Sequence, residues 1–337
     1  MMTTSFKHQP LLSLVVTTRN DSDQALQRMQ IFVDGLLAQA RQFQLSCELV
    51  VVEWNPPSDR PSIAEALDWI SASKFCRVRI INVPPELHAK FDNSDVIPLF
   101  QMIAKNVGIR RAHGKFILAT NVDILFSNEL IQFFASGKLR ADCMYRIDRS
   151  DVPANMPQHL SVPERLDWCK NNVFRLYRFK EIVDVQNGVI PPCLPKPSVL
   201  QRLRKWFWKH PHQIHTNACG DFTLLSSEYW QKTRGYPEFP LRAMKLDGLL
   251  CYSAYFSGAR EIVLEEPMGI YHLDHPARSD GAGIALTSRG TDSKKIQLPM
   301  FQYRQWVEQM QHSRIPILFN GLDWGLWNEN LVEAVID

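Results

Sequence analysis

Excess charge, a cysteine framework and a long apolar run are what this 337-residue sequence lacks. Lys and Arg number 38 against 35 Asp and Glu, a formal charge of +3. So slight a surplus does not announce a nucleic-acid binder, although a small total can conceal a local imbalance. The seven cysteines are scattered and nowhere spaced C-x-x-C; this argues against a zinc ribbon or disulfide scaffold and for a reducing compartment. No stretch reaches the ~20 apolar residues of a membrane span. The run Leu11–Val16 is too short for a signal-peptide core. A soluble, cytoplasmic protein is expected. There is no internal repeat and no low-complexity tract. What is present, 45% hydrophobic and 22% charged residues, is globular composition, and the length suits one large domain or two ordinary ones.

The first half alternates two kinds of segment. Leu11–Thr17, Cys47–Val52, Val78–Val83 and Phe116–Ala119 are short apolar, β-branched runs. Asp21–Phe43, Ile63–Ile70, Val96–Ala112 and Asn128–Phe134, which follow them in turn, have helical spacing. Buried strands alternating with amphipathic helices predict an α/β fold with a mostly parallel sheet covered on both faces. Ligands of such sheets sit beyond the carboxyl ends of the strands, which singles out Thr17–Asn20, Glu53–Asn55 and Asn121–Asp123. The second half is less regular. Met144–Arg149, Glu261–Leu264 and Met268–His272 read as strands, Phe222–Lys232 as strand then helix, and a helix opens near Asp247. The proline-rich stretch 151–197 is expected to be irregular, Ser279–Lys295 a mobile loop, and Phe301–Gln311 a helix within a C-terminal extension.

The most informative stretch is Asn106–Asp123, NVGIRRAHGKFILATNVD. A helix bearing Asn106, Arg110 and Arg111 turns at Gly114 into an apolar strand that delivers Asn121 and Asp123 at its end. Asp offers a hard oxygen to a divalent cation, and Asn a hydrogen bond without charge; the same pair also serves as a strand-end turn. With LVVTTRND after the first strand and CGDFTLLSSEYWQKTRGYPE later, in that order, the sequence resembles the GT-A glycosyltransferases, particularly glycosyltransferase family 2, over roughly residues 10 to 275.

The resemblance implies a GT-A (Rossmann-like) fold with a nucleotide-sugar-binding half at 10–140, an acceptor-side half at 141–276 and an extension at 277–337. It makes Asp123 a ligand of Mn²⁺ or Mg²⁺, with Asn121 standing where the family has its first aspartate. Thr17, Thr18, Arg19 and Glu53 would contact base and ribose, Arg110 the diphosphate or ribose, and Asp221 of Gly220-Asp221 the sugar or acceptor; Lys90 and Asp92 are further candidates. Asp247 matches the last residue of the family's Glu-Asp motif, here Leu246-Asp247, and becomes the candidate base, with helix N-cap as the competing role. In Tyr271–His275, His272 is the candidate second metal ligand, imidazole being acceptable to Mn²⁺. The expected activity is transfer of a sugar from a nucleotide-diphosphate sugar to a hydroxyl of a glycan or lipid-linked acceptor, metal-dependent and inverting, in polysaccharide or lipid-linked glycan synthesis. The rivals are a sugar-phosphate nucleotidyltransferase, against which TTRNDSD lacks a glycine-rich loop, and a catalytically silent carbohydrate-binding protein of the same fold.

Position also resolves the charge. Between Asp184 and Asp221 there is no acid, while Lys196, Arg202, Arg204, Lys205 and Lys209 lie inside. There LQRLRKWFWKH interleaves cations with aromatics, within the segment 196–212. Contact with an anionic membrane surface, packing on the protein's own body and a lid over acidic substrate all fit this pattern. Nothing else in the sequence supports nucleic acid.

Overall fold

The computed structural model describes residues 9–69, 75–190, 213–275 and 296–336. The basic aromatic segment 196–212 and the expected loop 279–295 lie outside them. The architecture is mixed α/β, with a large, mainly parallel central sheet flanked by helices.

Four parallel strands, β1 (Leu12–Thr18), β2 (Cys47–Trp54), β3 (Cys76–Val83) and β4 (Phe116–Thr120), form its middle. A second segment, β5 (Ile124–Phe126), leaves β4 for another sheet. The central sheet is extended past β4 by β11 (Phe222–Ser226), β6 (Cys143–Ile147) and β12 (Arg260–Leu264), and past β3 by β14 (Val332–Ile336). Only β11 and β14 run against the rest.

Side chains alternate across a strand, so each central strand feeds two cores. Leu12, Leu14, Val16, Leu49 and Val51 meet Phe32, Val33 and Leu36 of the helix Asp23–Gln42. Val15, Val50 and Val52 meet Met102, Ile103 and Val107 of the helix Gln101–Arg111. That helix lies close: a Cβ on Gly108 would stand 2.5 Å from Val15 Cγ1, and one on Gly114 would stand 2.5 Å from the Ser13 nitrogen. Asn106 locks it in place, donating to the Tyr236 carbonyl at 2.8 Å and accepting from the Tyr236 N–H at 2.8 Å. The glycines and asparagine of the motif therefore explain how the helix seats on the sheet.

The stretch 151–190, expected to be irregular, forms a helix, Val162–Asn171, and the short strands β7 (Arg149–Val152), β8 (Arg175–Tyr177), β9 (Ile182–Asp184) and β10 (Gly188–Ile190). With β13 (Ile270–Leu273) and β5 they make a six-stranded sheet, order β10-β9-β8-β7-β13-β5. Three-residue strands carry too little alternation to be read locally; pairing with neighbours defines them. The closing strand β14 was equally hidden.

A buried polar ladder crosses the amino-terminal side of the sheet. Ser13 donates to Glu48 at 2.6 Å, Arg79 pairs with Glu48 at 3.0 Å and with Glu333 of β14 at 2.6 Å, and the His113 N–H donates to Glu48 at 2.5 Å. Burial works to raise Glu48, but His113, Arg79 and Ser13 outweigh it and hold the carboxyl at about 2. The stabilisation is thus complete above the ordinary value of 4.5 and is lost as pH falls toward about 2. Glu48→Gln is expected to cost about 3 kcal/mol near neutral pH, because it strips a buried guanidinium of one partner. Urea unfolding of variant and wild type should show that difference shrinking as the medium is acidified through this window.

Candidate functional site

The chemistry gathers at the carboxyl edge of the central strands, where β4 ends and the chain crosses into β5. Antiparallel pairing sets Phe222 opposite Thr120, so Asp221 meets Asn121 just beyond the sheet. Asn121 donates its amide to Asp221 at 2.5 Å and accepts from Gln101 at 2.8 Å. The other Asp221 oxygen is paired with Arg149 at 2.5 Å. An aspartate at 121 would face Asp221 with a second negative charge and no proton to give, which is a physical reason for asparagine there.

Asp123 is placed by the second sheet. β13 runs antiparallel to β5 and parallel to β7, setting His272 opposite both Ile124 and Asp151. The Leu273 N–H donates to the Asp123 carbonyl at 3.0 Å. Asp123 Oδ2 lies 3.0 Å from His275 Nε2 and 3.6 Å from His272 Nε2, and His272 Nδ1 lies 3.2 Å from Asp151. Burial opposes the charged imidazole of His272, yet Asp123, Asp151 and Asp221 outweigh it and lift the group to about 10. Burial likewise opposes ionisation of Asp123, and the two histidines overcome it, driving its carboxyl far below the usual range. The oxygen Oδ1 of Asp123 is buried without a hydrogen-bond partner among the described residues.

One carboxylate and two imidazoles whose ligand atoms lie within 4.8 Å of one another, with one oxygen unsatisfied, fit Mn²⁺ and similar first-row ions. Asp123, His272 and His275 would hold such an ion. Asp151, His272 and Asp274 form a second group of the same kind sharing His272.

Asp247 stands beside the Gly220-Asp221 turn. It lies in the first turn of the helix Leu246–Phe256, whose N-cap is Lys245 at φ 76°, so Asp247 is not the cap. Its Oδ1 accepts the Gly248 N–H at 2.9 Å, and Oδ2 would lie 3.1 Å from a Cβ on Gly220. Burial pushes Asp247 up; the Cys219 thiol, the Gly248 N–H and Lys105 act against it. Beneath the Gly220-Asp221 turn, the wholly buried Lys105 donates to the Gly220 carbonyl at 2.5 Å.

The structure thus brings Asn121, Asp123, Asp221, Asp247 and His272 together. Thr17 and Thr18 lie buried at the end of β1, with Thr17 Oγ1 unpartnered among the described residues. Arg19 donates to the Asn55 carbonyl at 2.6 Å and pairs with Asp21. Glu53, opposite Thr18, is buried and pushed up by that burial; it accepts the Ile63 N–H at 2.9 Å. One of its oxygens is thereby committed to the chain's own backbone.

Arg110 is not at this edge. The helix Gln101–Arg111 runs back toward the start of β4, and in its last turn the Arg110 guanidinium packs 4.8 Å from the Trp324 ring and 4.7 Å from Trp327, donating to Gln231 at 2.8 Å. It anchors the C-terminal segment, away from the edge where contact with diphosphate or ribose was expected of it. Lys90 pairs with Glu329 at 3.5 Å.

Sequence reasoning missed Lys105 and Arg149 and did not make His275 a ligand. For Lys105 a signal existed: it shares the helix phase of Met102 and Ile109, so a cation stands where the pattern asks for an apolar residue. For Arg149 no local signal exists, because β7 is recognisable only by its pairing.

No family model matches the sequence, and no curated protein matches it. Among solved structures the chain is similar to S. aureus TarS 1–349, crystallised in complex with UDP-GlcNAc, at 15% identity and a TM-score of 0.48 over 90% of this chain and 72% of that one. A likeness this distant does not reach the site residues. Asp123→Ala is expected to lower Mn²⁺ affinity by about tenfold or more, and His275→Ala to do the same; electron paramagnetic resonance of free Mn²⁺ reads both, and affinity unchanged in both would exclude this cluster as a metal site.

Proposed function

We propose that the chain is a GT-A-type glycosyltransferase that moves a sugar from a nucleotide-diphosphate sugar to an acceptor hydroxyl. The observation that supports it best is the pairing of two chemistries across Asn121 and Asp221. The Asp123–His272–His275 cluster suits a cation, and a carboxylate raised by burial, Asp247, stands beside the Gly220-Asp221 turn. In this reading residues 10–140 form the nucleotide-sugar-binding half and 141–276 the acceptor-side half, from which Asp221, His272 and His275 reach the donor, with 277–337 as an extension.

Asp247 takes the proton of the acceptor hydroxyl as that oxygen attacks the anomeric carbon. The bond between that carbon and the diphosphate oxygen breaks, its electron pair leaving with the nucleoside diphosphate. A carboxylate whose affinity for a proton is raised by burial is a better base near neutral pH than an exposed one. Asp123, His272 and His275 would hold a divalent cation, which would offset charge on the diphosphate. Arg149 and Asn121 fix Asp221 in one orientation, so that it can hydrogen-bond the sugar. Thr17, Thr18 and Arg19 line the same edge on the nucleotide side. A single base on the acceptor gives inversion at the anomeric carbon.

Incubation with a panel of nucleotide sugars, with and without Mn²⁺, should give nucleoside-diphosphate release and a raised melting temperature for one donor; silence toward every donor would sink the reading. Asp247→Asn should keep the donor-induced stabilisation and lose about 100-fold or more in transfer, and retained turnover would remove Asp247 from the mechanism. Among the described residues no helix is long and apolar enough to cross a membrane. The segment 196–212 is assigned to a peripheral contact with an anionic surface at the inner face of the membrane, near a lipid-linked acceptor. Flotation with anionic vesicles tests this, and glutamates at Arg202, Arg204 and Lys205 should abolish it.

A further inference from the structure

Lys105 belongs to none of these roles, yet it is the most costly residue in the neighbourhood. A lysine at 0% exposure has given up the hydration of its ammonium, a loss tolerated only where fixed partners replace the water. Its hydrogen bond to the Gly220 carbonyl at 2.5 Å is to a neutral group and does not balance a charge.

The balance lies in the surrounding carboxylates. Asp221 has Arg149, and Asp123 has His272 and His275. Asp247 makes no ion pair among the described residues; the Gly248 N–H, the Cys219 thiol and the nearby phenols of Tyr236 and Tyr303 are its other polar company. We propose that Lys105 is a positioning residue, the resident counter-charge of the site: it ties down the Gly220-Asp221 turn and supplies the positive charge that Asp247 otherwise lacks. This rests on the reading of Asp123, His272 and His275 as cation ligands.

Burial lowers Lys105 to about 8, with Asp221, Asp247 and Asp123 opposing that fall, so the ammonium is still the majority form at neutral pH. A cation entering at Asp123 therefore meets a positive charge already in place. The site holds its ion less tightly than the carboxylates alone would, which suits a centre that must release a metal-bound diphosphate after each turnover.

The test is Lys105→Met, which conserves volume and removes the buried charge. Mn²⁺ alone is the probe, titrated by electron paramagnetic resonance. The variant should bind Mn²⁺ about threefold or more tighter than wild type, a change opposite to the weakening that loss of a merely structural residue brings. Unchanged or weaker binding would overturn the proposal. Wild type that takes up no Mn²⁺ would remove the metal reading itself and this inference with it, a result distinct from equal binding by both proteins. Should the variant fail to fold, wild-type protein with ¹⁵Nζ-labelled lysine decides: addition of Mg²⁺ should shift the resonance of the buried Lys105 ammonium, and an unmoved resonance overturns the proposal.

Discussion

The pairing of β13 between β5 and β7 is the constraint on which the site depends. It carries His272 across 149 residues of sequence to Asp123 and sets it against Asp151 in the same step. Backbone register does this, and side-chain attraction follows. A slip of one residue would turn His272 to the opposite face of the sheet and break the cluster. Leu166 and Cys169 of the helix Val162–Asn171 and the buried residues Val152 and Leu273 form the apolar cluster that holds this sheet in place.

The two edges of the central sheet divide the labour. At the amino-terminal edge, Ser13, Glu48, Arg79 and Glu333 satisfy one another across four strands, and Arg111 donates to the Gly325 and Leu326 carbonyls at 2.6 Å each, drawing in the C-terminal segment. Its charges are paired internally. At the carboxyl edge the balance is incomplete: Asp123 keeps an unsatisfied oxygen and Asp247 has no ion-pair partner among the described residues. Polar groups left partly satisfied at low exposure mark a surface arranged for something outside the chain.

Much of this was legible beforehand. Buried strands and amphipathic helices are local patterns, so β1 to β4 and their helices follow from apolar runs and spacing, and with them the edge where Asn121 and Asp123 emerge. Asp221 and Asp247 were found through motif order. The motif around Asn106 proved to owe its residues to packing: Gly108 and Gly114 admit close contact with β1, and Asn106 clasps Tyr236. Arg110 was misplaced because a motif gives the order of residues but not the end of the helix on which each one lies.

The sequence alone determined the layered α/β architecture, since 3.6- and 2-residue periodicities dictate which face each segment must bury. It also pointed to Asn121 and Asp123, because strand ends are where polar residues interrupt apolar runs, whereas Asp221 and Asp247 came from the resemblance. Tertiary structure alone decided which of them meet. Short strands such as β7 and β8 acquire their identity from hydrogen-bonded neighbours, and a buried lysine finds its charge partners only after folding has removed the water between them.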